Sequence, residues 1–174
     1  MLTSREDFGN VRPNNFKCTS DPTRDTDDKY NCIAWAIGKN DNYWWPRQLG
    51  GFYWPKGLPR EPLNKETITN FIKAFESEGF VTCNDSEFEN GFEKVAIYVN
   101  HMGVPKHAAR SLPDGAWTSK MGDDEDIEHA TLDVLEGHGF GRAKVFLKRP
   151  NPLCQKPNLL RELSLRLLKV LKPH

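Results

Sequence analysis

The sequence predicts an α+β domain in which short helices pack on a small antiparallel sheet. Three observations carry this expectation. An apolar run begins at Asn31-Cys32 and stops at Gly38, the length of a short helix closed by a glycine. Ile68, Phe71, Ile72 and Phe75 recur at helical spacing ahead of Gly79. Lys94-Val95-Ala96-Ile97-Tyr98-Val99 is short and β-branched, and further extended segments follow it around the turn signal Pro113-Asp114-Gly115. With 174 residues, one domain is expected, and a chain of that size buries roughly 70% of its unfolded surface.

Taken in order, residues 1–28 are polar and rich in Asn, Asp and Thr, with Pro13 and Pro22, and read as an irregular arm. The body is expected over 29–150. Its first helix spans about Asn31 to Gly38. Residues 40–63 interleave Tyr43, Trp44, Trp45, Phe52, Tyr53 and Trp54 with prolines and glycines, a density that forbids a long helix and predicts a structured aromatic loop. A helix capped by Asn64 or Thr67 comes next, then a brief extended piece at 80–83. Strands are predicted at 94–99, 106–112 and 116–120. After an acidic loop at 122–128, residues 129–136 read as helical. A last strand at 143–149 is terminated by Pro150. Residues 151–174 contain an amphipathic helix with Leu160, Leu163, Leu167 and Leu171 on one side.

Twenty-four basic residues balance 24 acidic ones, which argues against a nucleic-acid partner, since such domains carry a net basic footprint. No apolar run approaches a membrane span, and residues 1–20 lack the apolar core of a signal peptide. The expected location is the cytoplasm, or the outside by a route that needs no signal peptide. Cys18, Cys32, Cys83 and Cys154 are scattered with no CxxC pair, the pattern of free thiols. No cofactor is expected: the chain has no glycine-rich phosphate loop, GxGxxG, GxSxG or HExxH. His107 and His129, with an acid or Cys32, are legitimate zinc ligand types, but their spacing makes no metal motif.

Cys32 opens a helix. Unpaired N–H groups and the positive end of the helix dipole favour a thiolate there. A thiolate nucleophile needs a histidine to take its proton, and His107 lies downstream in Lys106-His107-Ala108-Ala109-Arg110. His101, beside a glycine-containing turn, reads as exposed rather than functional.

This order of helix-start cysteine, helix and meander with a histidine on its second strand resembles the papain-like cysteine hydrolases, and among them the NlpC-type amidases. The segments Asn-Cys-x-Ala-Trp-Ala, His-Ala-Ala-Arg, Trp-Thr-Ser-Lys and Asp-Ile-x-His, within about residues 29–149, are also similar to an uncharacterised bacterial domain family that brings no activity with it. The first resemblance implies a papain-like α+β fold with a nucleophile helix packed on the sheet. It also implies a Cys32–His107 dyad cleaving an amide, peptide or isopeptide bond through a thioester, in a peptidase, amidase, deamidase or acyl-transfer reaction. The residue orienting the imidazole is left open among Ser119, Asp126 and His129. The aromatic loop becomes one wall of the cleft, so Trp35, Trp44, Trp45, Trp54 and Trp117 are the candidate substrate contacts, and the partner is a peptide or protein. The competing reading is a non-catalytic protein-interaction module on the same scaffold, with the oligomeric state open.

Overall fold

The computed structural model describes residues 15–19, 29–47, 50–60, 66–122, 124–137, 139–151 and 153–154. It is built on one seven-stranded antiparallel sheet of order β1-β6-β5-β4-β3-β7-β2. The strands are β1 (Phe16–Cys18), β2 (Val81–Cys83), β3 (Phe92–Val99), β4 (Pro105–Ser111), β5 (Trp117–Lys120), β6 (Asp126–His129) and β7 (Arg142–Pro150). Among the described residues, two short α-helices, α1 (Cys32–Ile37) and α2 (Ile68–Glu76), and one 3-10 helix at Leu132–Leu135 accompany it.

This is a β-rich fold, and it overturns the papain-like α+β expectation. The reason is local. Residues 129–136, read as a helix, divide into the end of β6 and a single 3-10 turn. The acidic Asp126–His129 stretch is a paired strand rather than loop. Part of the arm, Phe16–Cys18, pairs antiparallel with β6 and supplies a seventh strand where irregular chain was expected. The remainder of the arm, and the helix expected within 151–174, lie outside the described residues apart from 15, 19, 151, 153 and 154. Among the described residues no helix is long and apolar enough to cross a membrane.

The other elements follow their sequence signals. Asn31 caps α1 by accepting from the Ala34 N–H (3.2 Å), and Gly38, at φ +85°, ends it in the left-handed conformation that glycine adopts without strain. Thr67 caps α2, which buries Phe71, Ala74 and Phe75. Phe71 meets Trp45 and Trp54 edge-on, each at 5.2 Å between centroids. A fully buried Phe contributes about 1.5–3 kcal/mol through apolar burial alone.

The sheet separates two cores. Under α1, α2 and the aromatic loop lie Val95, Ile97, Ala108 and Leu147. On the opposite face Ala96, Tyr98, Ala109, Trp117 and Ile127 pack with Met121, Val134, Leu135 and Phe140. Residues alternate between faces along each strand, so β3 is buried on both sides from Glu93 to Tyr98.

Candidate functional site

Cys32 stands at the start of α1, in the first of these cores beside Ala108. Burial pushes its thiol up to about 11, even though the backbone N–H groups of Ala108, Cys32 and Ile33 favour the thiolate. The Ala108 contact shows how close the sulfur comes to β4. His107 is one residue earlier on that strand, and the pleat turns it to the other face. There it pairs across from Tyr98, meets that ring edge-on at 5.4 Å and lies 4.2 Å from the Phe140 ring. Neither ring nitrogen of His107 has a hydrogen-bond partner among the described residues, the Cys32 sulfur included. Burial, with a smaller contribution from His129, lowers its value to about 3. The expected dyad is therefore not assembled: the backbone of the sheet runs between two neutral, enclosed groups.

The three candidates for orienting the imidazole are divided as well. Ser119 and His129 share His107's face but engage each other, Ser119 Oγ to His129 Nε2 at 3.1 Å. His129 donates its Nδ1–H to the Thr131 carbonyl (2.8 Å), since a carbonyl only accepts, and this leaves Nε2 to accept from the Ser119 hydroxyl. Both side chains are buried in the core. Asp126 lies on the Cys32 face, where its Oδ2 accepts from the Tyr30 hydroxyl at 2.9 Å. Lys120, opposite Asp126 in the register, sits 5.1 Å over the Tyr30 ring. The sequence reading passed over this Tyr30–Asp126–Lys120 group; the alternation of Trp117–Lys120 was its one available signal.

The aromatic candidates do not line a common cleft. Trp44 and Trp54 are core residues, 1% and 2% exposed. Trp45 packs beside them and donates to Glu66 Oε1 at 2.8 Å. Trp35 donates to Thr118 Oγ1 at 3.0 Å. Trp117 belongs to the opposite face. The loop is thus a lid on the core, clamped by Asn31, whose amide donates to the Trp44 carbonyl (2.9 Å) and accepts from its N–H (3.1 Å).

The family model described as a domain of unknown function, DUF7689, matches residues 21–148. The chain belongs to the DUF7689 family. No curated protein and no solved structure is similar to it at a significant level.

Open space on this DUF7689 domain is found in recesses beside the sheet. A recess of about 740 Å³ lies where β3 and β7 meet, lined by Val99, Asn100, His101, Gly103, Arg142 and Lys144 among others. A second, of about 500 Å³, has Phe88, Trp117 and Phe146 on its walls with Glu87, Asp133 and Glu136. Cys32, His107, Ser119 and His129 line neither. Among the described residues no group of three or more His, Cys, Asp or Glu side chains is arranged to hold a metal ion.

Proposed function

We propose that this chain is a non-catalytic binding domain that presents recesses beside its sheet to its ligand. One observation carries the reading: the thiol and the imidazole that a cysteine hydrolase must bring together occupy opposite faces of the sheet, each enclosed and each favoured in its neutral form. A thiol–imidazole pair works only within hydrogen-bond reach. The candidate partners on each face are engaged in structural bonds, Asp126 with Tyr30 on the Cys32 side and Ser119 with His129 on the His107 side. The four free thiols suit a reducing compartment, and we assign the domain to the cytoplasm.

The hydrolase reading retains one supporting observation, the three backbone N–H groups that favour the Cys32 thiolate. It requires an imidazole beside the sulfur, and among the described residues the two buried histidines, His107 and His129, lie on the opposite face. Alkylation with iodoacetamide, followed site by site by mass spectrometry across pH, separates the two. The expected result is that Cys32 reacts more slowly than exposed Cys18 and half-buried Cys83, with a rate still climbing above pH ~8.5. If Cys32 is instead the fastest thiol, with a rate that levels off well below that pH, the binding reading fails and the nucleophile is restored.

A further inference from the structure

The recess between the ends of β3 and β7 is lined by hydrogen-bond donors and, among the described residues, by no carboxylate. Its polar side chains are Arg142, Lys144, His101 and Asn100, set among Gly103, Gly137 and Gly141. The orientation of Asn100 is decided by its turn: its Oδ1 accepts from the N–H groups of Met102 (3.0 Å) and Val104 (2.9 Å). The acceptor end of the amide is thereby used, and the Nδ2 hydrogens remain for a ligand. The cations are in a similar position. Lys39, Lys94, Lys148 and Arg149 each meet a carboxylate. Arg142 and Lys144 are exposed, and among the described residues neither side chain has an ion-pair or hydrogen-bond partner. The floor is firm. Gly141, at φ +82°, presses so closely on β3 that an added Cβ would lie 2.0 Å from the Val99 carbonyl oxygen.

We propose that this recess binds the phosphate group of a small phosphorylated molecule. The inference deepens the binding-domain reading and rests on it, since it names the ligand class that one such recess takes. A guanidinium fork, an ammonium, an imidazole and an amide N–H₂ offer more donors than one carboxylate can use, and they match the three terminal oxygens of a phosphomonoester. The volume of about 740 Å³ lies within the range of small-molecule sites and exceeds what a bare ion fills, so the phosphate arrives on an organic body.

An NMR titration of the full chain with phenyl phosphate, benzoate and inorganic phosphate tests this. Phenyl phosphate is expected to shift the Asn100 side-chain amide and the Gly103 and Gly141 backbone amides saturably, and to bind more tightly than either of the others. The double variant Arg142→Ala with Lys144→Ala should weaken it by about tenfold or more, because two charge-assisted contacts are lost. Asn100→Asp should weaken it comparably, since Asp keeps the acceptor that builds the turn and removes the donor; an otherwise unchanged spectrum verifies the fold. Benzoate binding as tightly as phenyl phosphate overturns the phosphate assignment, and inorganic phosphate binding as tightly overturns the organic body. Unsaturable shifts spread over all exposed lysines, or undiminished binding by the variants, overturn the site. None of these readouts depends on Cys32 reactivity, so the recess and the binding-domain reading fail by different observations.

Discussion

His107 shows what one enclosed side chain does to acid stability. In the unfolded chain its imidazole titrates near 6.5, and in the folded protein burial between Tyr98 and Phe140 lowers this to about 3. Between those values the unfolded state binds more protons than the folded state. The stability tied to this ring is therefore complete above pH 6.5 and is lost as pH falls toward 3. His129, lowered chiefly by its own burial, acts in the same direction. Thermal melts should show His107→Leu losing less Tm than the parent protein between pH 7 and pH 4, with His129 supplying the residual decline. Equal losses would move the acid sensitivity away from His107. That the residue is enclosed was legible neither in its helix-start partner nor in its strand. Whether a strand residue faces one core or the other depends on a register parity of one residue, and here the pairing of Tyr98 with His107 sits next to a bulge at Tyr98/Val99. Sequence located the strand and left its parity undetermined, and the dyad depended on the parity.

Asn31 works between two elements. One side chain caps α1 and holds both the N–H and the C=O of Trp44, so the first helix and the aromatic loop share a single anchor that is 3% exposed. Asn31→Ala removes a cap and leaves buried backbone groups unpaired; urea denaturation should show a loss of about 2 kcal/mol or more. Asn31→Asp keeps the acceptor for Ala34 and gives up donation to the Trp44 carbonyl, so its loss should be smaller. A loss for Ala within about 0.5 kcal/mol, the range of ordinary surface substitutions, would show that water replaces the clamp. At this scale most elements were readable. Glycine and asparagine bracket α1, the Ile68/Phe71/Ile72/Phe75 spacing marks α2, and the β-branched run marks β3. Misreadings fell where charge hides alternation: Asp126-Ile127-Glu128-His129 is a strand whose carboxylate and imidazole are drawn inward by Tyr30 and Ser119. A sequence alone does not announce such partners, which lie 96 and 10 residues away.

Across the whole molecule, Arg149 on β7 joins three parts of the fold. Its guanidinium pairs with Glu93 on β3, donates to the Ile37 carbonyl at the end of α1 (2.9 Å) and to the Glu78 carbonyl after α2 (3.1 Å), and lies 4.4 Å over the Phe80 ring. Glu93, 4% exposed, also accepts from Asn151 at 3.1 Å. Arg149→Met strands a buried carboxylate and should cost about 3 kcal/mol in chemical denaturation. Adding Glu93→Leu should return part of that loss, whereas a double variant no more stable than Arg149→Met alone would locate the cost in the two carbonyl contacts. This clamp draws on residues 37, 78, 93 and 149, a separation that no local pattern encodes.

The position of β7 between β3 and β2 also bears on how the protein is made. While a ribosome is still translating residue 141, β2 has no neighbour to pair with and one flank of β3 is bare. The nascent polypeptide must therefore keep β2 and that flank of β3 unpaired until the stretch 142–150 clears the exit tunnel, and these waiting edges are ready targets for chaperones.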